Sequence, residues 1–301
     1  MTLSPPRVAV VGIPGAWSSE LIGQRLAEEF GACPVVDLDE AEMDLEAGTV
    51  MVKGLDLCTL DGLVVKKIAP RYSAHVLDRV ELLQWIEHRG VRVFSPASAM
   101  GPLINRLTGT VRLRRGGVPM PPTFVTESVD VAVELIERRG VCIAKPLYTS
   151  KARGMAKLTP GEGLRAEVEA FRSEGNPVMY LQQMLELPGR DLGVAFVGGE
   201  YLATYARVQA AGNWKSTTSA GGRYEAFNPS AEIIEIAKHA QALFNLDFTC
   251  VDVVETSDGP MIFEVSAFGG FRGLLDACGI DAAAAYSQHV ARVMKDRGAA
   301  H

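Results

Sequence analysis

The sequence predicts an α/β protein whose C-terminal part becomes α+β, and three observations carry that reading. The chain opens with an apolar strand, a glycine-bearing turn, a helix and a second apolar strand. A glycine pair, Gly116-Gly117, followed by Pro119-Met120-Pro121-Pro122, interrupts its middle. Near its end two apolar segments, 248–255 and 260–266, flank a run of turn residues.

Residues 7–12 read as a strand buried on both faces, because Val8-Ala9-Val10-Val11 has no polar alternation. Such runs belong to parallel sheets covered by helices. A helix over 18–30 and a strand over 33–38 complete a strand–helix–strand unit. Strands at 49–52 and 62–66, a helix at 74–89 and a strand at 92–94 extend the alternation. The turn after the first strand carries only Gly12 and Gly15. A dinucleotide site needs a fuller glycine series where the pyrophosphate meets the helix start, so a tight strand-to-helix turn is the plainer reading. Residues 96–115 form a basic helical stretch that stops at the glycine pair, and the prolines then force an extended segment. Beyond lie a strand at 124–125, a helix at 129–139 and a strand at 141–146. From 179 onward strands alternate with two helices. One spans 231–244, with Ile233, Ile236, Ala237, Ala240, Leu243 and Phe244 on one face; the other lies near 282–294. Three units follow: 1–95, 96–180 and 181–301.

Of 301 residues, 48% are hydrophobic and 22% charged, the balance of a folded chain and not of a disordered one. A net charge of −6 argues against nucleic-acid binding driven by overall charge. The N-terminus lacks the basic and apolar regions of a signal peptide, and no apolar run is long enough to span a bilayer. The five cysteines are widely spaced without a C-x-x-C pair, which predicts reduced, mostly buried thiols in a cytoplasmic protein. His75, His88, His239, His289 and His301 show no metal-ligand spacing.

The two C-terminal apolar segments read as a β-hairpin around Thr256-Ser257-Asp258-Gly259. A three-residue loop, Ser257-Asp258-Gly259, puts Asp252 opposite Glu264. Val251, Val253, Phe263 and Val265 then share an apolar face, while Asp252, Glu264 and Ser266 share the other. Carboxylates opposed at about 5 Å repel unless a cation lies between them. Oxygen ligands of that kind suit Mg²⁺ completed by phosphates and water. A two-residue Asp258-Gly259 turn shifts the register by one and sends the carboxylates to opposite faces. Both registers stay open at this point. Upstream, Lys145 ends an apolar strand and enters a loop, 146–155, with hydroxyls, further basic residues and Gly154. It reads either as a snorkelling edge lysine or as part of a phosphate-wrapping loop.

This order of features resembles the ATP-grasp superfamily and, within it, the RimK-like glutamate ligases. The resemblance covers about 95–295, and from Lys145 to Ser266 it needs no gaps. It implies an ATP-grasp fold preceded by a Rossmann-like pre-ATP-grasp domain, with ATP and Mg²⁺, or Mn²⁺ in its place. Arg106 and Lys145 match basic residues that hold the phosphates. Ser150 and Lys151 belong to a loop, 149–154, that would close over them. Gln182 and Gln183 match the hinge beside the adenine, and Asp191 a position associated with nucleotide binding. Lys215, Ser216 and Thr217 match a basic segment at the terminal phosphates. Asp252, Glu264 and Ser266 match the metal ligands. Arg207 and Lys215 are the candidates for stabilising a tetrahedral oxyanion. Three departures stand out: Ser266 and Thr217 replace asparagines, and Gly193 stands where the glutamate-ligase branch has arginine.

The implied reaction joins a small-molecule carboxylate to an amine through an acyl-phosphate, with glutamate as one partner. The run 264–272 looks like relatives linked to pterin or furan cofactor biosynthesis. No nucleic acid or membrane enters, and a homodimer is compatible with the resemblance alone. Two rival readings remain: an ATP-binding protein without catalysis, and a nicotinamide-dependent oxidoreductase built on the N-terminal unit. Trp214, beside Lys215, reads as packing or as a substrate contact.

Overall fold

The computed structural model describes residues 5–150, 152–210 and 221–299. The N-terminal part begins with β1 (Val8–Val11), α1 (Trp17–Phe30) and β2 (Val35–Val36), continues through β3 (Glu42–Asp44), β4 (Thr49–Val52) and β5 (Leu55–Asp56), and closes with β6 (Gly62–Val65), α2 (Val76–His88) and β7 (Arg92–Phe94). The expected parallel sheet is present, in the order β2-β1-β6-β7. Segment 49–52 is not part of it. β4 pairs antiparallel with β3 and β5 in a separate three-stranded meander. The cause is local: Lys53 and Gly54 both take positive φ, 50° and 82°, the two-residue hairpin turn that folds β5 straight back on β4.

The glycine turn after β1 is filled from within. The Ser19 hydroxyl accepts from Ile13 N at 3.1 Å, and the Glu20 carboxylate from Gly15 N at 2.7 Å. Amides that a pyrophosphate would need are therefore engaged, and a carboxylate stands where the anion would go. The oxidoreductase reading loses its site.

The basic stretch 96–115 is two helices, α3 (Ala97–Ile104) and α4 (Arg106–Arg115). Asn105 breaks it: its backbone is extended and its Oδ1 accepts from Leu107 N and Thr108 N, a helix cap. β8 (Thr123–Thr126), α5 (Val129–Arg139), β9 (Cys142–Lys145), β10 (Ala156–Leu158), α6 (Leu164–Ser173) and β11 (Met179–Gln183) follow, with the antiparallel sheet order β10-β9-β11-β8. The sequence reading missed β10 and α6. The rest comprises β12 (Arg190–Val197), β13 (Glu200–Val208), β14 (Arg223–Ala226), α7 (Ala231–Ala242), β15 (Phe248–Thr256), β16 (Gly259–Val265), α8 (Arg272–Cys278) and α9 (Ala282–Ala299). Helix α8 was not expected. The third sheet runs β14-β13-β12-β15-β16, antiparallel throughout.

Apolar packing joins these parts. One face of the parallel sheet packs with the meander, α2 and α3. Its other face, with α1, shares a core with α8, α9 and the third sheet. The opposite face of the third sheet is covered by α4 and α7, and α5 and α6 cover the second sheet. Cys142 and Cys250 are buried, while Cys33, Cys58 and Cys278 are half-buried, fewer buried thiols than the sequence suggested. No described helix is long and apolar enough to cross a membrane.

A polar strut crosses the shared core. Asp247, just before β15, accepts two hydrogen bonds of 2.9 Å from Arg92 on β7, and His289 on α9 lies 2.8 Å from it. Its backbone N–H donates to the Ser95 hydroxyl. Removing one partner of a buried ion pair strands the other in low dielectric. Asp247→Ala is expected to cost about 3 kcal/mol, read from urea unfolding.

Candidate functional site

The hairpin of β15 and β16 decides where the acidic side chains go. Its turn pairs Thr256 with Gly259, so the turn residues are Ser257 and Asp258. Neither loop considered from the sequence is present. The Thr256 hydroxyl donates to Gly259 O at 2.7 Å, and Gly259 takes a φ of 104°. Continued without interruption, that register would set Asp252 against Phe263. Instead Val253 pairs with Ile262 and Asp252 with Glu264, leaving Phe263 as an extra residue in a β-bulge. The expected opposition of Asp252 and Glu264 is thus present for a different reason. Phe263 does not join Val251, Val253 and Val265 in the core. Ile262 does, and the Phe263 ring faces a cleft.

That cleft has a volume of about 1290 Å³ and lies between the second and third sheets, bordered by the loop after β6. It brings together most of the sequence candidates. Lys145, Ser150, Gln182, Gln183, Asp191, Arg106, Arg207, Asp252, Glu264 and Ser266 all line it. Lys151, Lys215, Ser216, Thr217 and Trp214 lie outside the described residues. Lys67, Tyr72, Tyr205 and Phe263 also line it. Sequence reasoning missed the last three. Tyr72 had a signal: it follows the carboxyl end of a parallel strand, where ligands of open α/β sheets bind. Phe263 had none, because the bulge is invisible to alternation.

Lys145 is nearly buried. Its ammonium meets Gln182 Oε1 at 2.5 Å and lies 4.9 Å from the Phe263 ring centroid. Burial, with Arg106 adding repulsion, lowers its pKa to about 7. Gln182 is itself buried and donates to Thr123 Oγ1 at 3.1 Å, so its side chain orients the lysine. After Gln183, residues 184–187 leave the sheet along the cleft wall. Arg106, aimed by the Asn105 cap, contacts Glu264 at 3.1 Å and the carbonyls of Pro146 and Thr149. The Ser150 hydroxyl accepts from Arg153 at 3.2 Å.

Arg207 forms the other cationic centre, 2.5 Å from Asp191 and 2.9 Å from Asp252. Burial opposes its charge, but Asp252 and Asp191 outweigh that and hold it ionised well above its ordinary range. Asp252 is pushed up to about 7, mainly by burial; Arg207 opposes the rise, and Glu264 and Asp191 add to it. Such a carboxylate gains most from a cation. Among the described residues no group of three His, Cys, Asp or Glu side chains is placed to hold a metal by protein ligands alone. Two opposed carboxylates with the Ser266 hydroxyl nearby suit a hard ion that takes its other ligands from phosphates and water. The loop after β16 is pinned from the first sheet: buried Lys66 donates to Gly269 O and lies 3.8 Å from the Phe271 ring centroid.

Comparisons with known proteins bear on the family and the fold. A family model, the RimK-like ATP-grasp domain, matches residues 105–290. A tetrahydromethanopterin:alpha-L-glutamate ligase of Methanosarcina acetivorans is 28% identical over 291 residues, covering 85% of this chain and 90% of that protein. A probable alpha-L-glutamate ligase of Stenotrophomonas maltophilia is 27% identical over 248 residues, 81% of this chain and 82% of its own length. Among solved structures, the ATP-grasp ligase PsnB, complexed with a precursor variant, Mg and ADP, superposes with a TM-score of 0.75 at 19% identity, over 97% of this chain and 99% of that one. This last likeness bears on the fold, which is the ATP-grasp fold.

Lys145 also sets a pH dependence. Its lowered pKa means the folded chain binds fewer protons than the unfolded one between about 7 and the ordinary lysine value. Its contribution to stability therefore falls as pH drops toward 7 and is lowest below it. Relative to Lys145→Met, the wild type is expected to gain stability from pH 6 to pH 9, at most about 1.4 kcal/mol per pH unit. Denaturant melts of both proteins at several pH values check this.

Proposed function

This chain belongs to the RimK-like ATP-grasp family, and from that premise we propose that it is a cytoplasmic ligase joining a small-molecule carboxylate to an amine at the cost of ATP. The observation that carries the reading is the bulge-set opposition of Asp252 and Glu264 in a cleft with Lys145 and Arg106 at one end and Arg207 at the other. The names of its relatives favour L-glutamate as the amine and a pterin cofactor precursor as the carboxylate.

In the proposed mechanism Lys145 and Arg106 hold the nucleotide phosphates, with Ser150 and the segment around Lys215 to Thr217 completing the cover. Gln183 and residues 184–187 border the adenine. Asp252 and Glu264, with Ser266, would hold Mg²⁺, for which Mn²⁺ could substitute. The ion supplies charge neutralisation at the transferring phosphoryl group. A substrate carboxylate oxygen attacks the terminal phosphorus, the bond to the bridging oxygen breaks, and ADP leaves. Arg207 orients that carboxylate and stabilises the oxyanion formed when the amine attacks the acyl carbon. Collapse of that centre expels phosphate, the amine gives up its proton, and an amide remains. No covalent enzyme intermediate is required, since the reactants are held in position.

The test combines the protein with Mg-ATP, L-glutamate and tetrahydromethanopterin, and follows ADP and the mass of the product. Glu264→Ala is expected to slow ADP release by about a thousandfold or more. Chelation of the metal is expected to do the same, reversibly. Full turnover by Glu264→Ala would remove this residue from the metal role.

A further inference from the structure

The row of residues that holds Asp252 and Glu264 continues beyond them. Across the third sheet Ala226, Tyr205, Gly193, Asp252 and Glu264 stand side by side on five neighbouring strands. Gly193 has no side chain, and the Tyr205 ring occupies the space above it. A Cβ at 193 would come within 2.4 Å of Tyr205 Cζ and 2.7 Å of its hydroxyl. Gly273 in α8 approaches from another side: a Cβ there would meet Tyr205 Cε2 at 2.5 Å. Two glycines therefore make a slot for one aromatic ring. Tyr224 stands edge-on to it at 5.4 Å, and the Arg207 guanidinium lies 5.9 Å from its centroid.

Tyr205 is only 4% exposed, yet it borders the cleft. Among the described residues its hydroxyl has no hydrogen-bond partner, and it is not one of the fully buried unpaired polar atoms, so it opens on the cleft. Phenylalanine would fill the same slot with its ring. What the tyrosine adds is a hydroxyl held at the cleft wall, a donor for a ligand that enters there.

The order along the row identifies the partner, given the ligase reading on which this step rests. Arg106 and Lys145 gather at the Glu264 end, so the nucleotide phosphates belong there. Tyr205 and Arg207 lie beyond Asp252, at the opposite end. Phosphoryl transfer keeps the attacking and leaving oxygens in line on opposite sides of the phosphorus. We propose that Tyr205 recognises the substrate carboxylate, its hydroxyl donating a hydrogen bond to one oxygen of the group that attacks the terminal phosphate. Burial raises the phenol's pKa well above its ordinary range, so it remains a donor throughout the neutral range.

Tyr205→Phe removes the hydroxyl and keeps the ring. With Mg-ATP, tetrahydromethanopterin as the carboxylate and L-glutamate as the amine, KM for tetrahydromethanopterin is expected to rise about ten- to a hundredfold. KM for ATP should stay within about twofold, and Tm should hold, because the ring that fills the slot is kept and the lost hydroxyl opens on the cleft. Gly193→Ala, which must displace the ring, should raise the same KM. An unchanged KM for tetrahydromethanopterin in Tyr205→Phe overturns the proposal. So does a rise shared equally by ATP and accompanied by a lower Tm, which is the signature of a structural role. Wild-type protein that releases no ADP with these substrates sinks the ligase reading and this step with it, a result visible before any variant is compared.

Discussion

One extra residue in one strand organises the cleft. Without the bulge at Phe263, the two-residue turn of the hairpin would place an aromatic ring opposite Asp252 and send Glu264 to the far face. With it, the carboxylates meet and the ring swings beneath Lys145. The register is held from outside as well: Ile262 N donates to Pro119 O at 2.9 Å, tying the edge strand to the proline-rich segment, while Ile262 itself is buried. Bulges disrupt the ladder locally, so a bulge that persists beside opposed carboxylates needs such anchoring. The prolines near position 120 thus act on the site without facing it.

The charges in the cleft are arranged so that ligands can exchange with protein partners. Arg106 rests on Glu264, and Arg207 on Asp252 and Asp191. Leaving any of these ions unpaired in a partly buried setting would be costly. In the proposed complex the phosphates would take over Arg106, and Asp252 and Glu264 would turn to the metal. Each buried charge then changes partner without being stranded. Lys145 differs, since among the described residues its close polar partner is the neutral Gln182. Its lowered pKa follows from that, and an arriving phosphate would restore its charge.

The sequence disclosed the elements whose signals are local. The apolar run of β1, the turn residues around Gly259 and the capped amphipathic face of α7 each follow from composition at short range. The set of candidate residues came from the resemblance instead, and those among the described residues line one cleft. What stayed hidden depends on contacts distant in sequence. β4 alternates as a strand in either kind of sheet, and only the left-handed pair Lys53-Gly54 turns it into a meander. The helical stretch 96–115 reads as continuous because Asn105 tolerates a helix interior, yet its side chain caps α4. The bulge cannot be read from alternation, because an extra residue looks like a continued strand. The correct opposition of Asp252 and Glu264 came from a loop one residue too long, which cancelled a bulge not foreseen.

The same limit explains Gly193. In one dimension it is a missing side chain on a strand, and glycine there weakens the strand. In three dimensions it is half of the slot for Tyr205, with Gly273 on a helix eighty residues later as the other half. Neither glycine carries chemistry, and each is intelligible only through the ring it admits. Their joint effect is to set an aromatic hydroxyl on the same sheet row as the acidic pair, next to a guanidinium already committed to charge. Where two glycines converge on one polar side chain beside a catalytic cleft, the absent atoms define the site as much as those present.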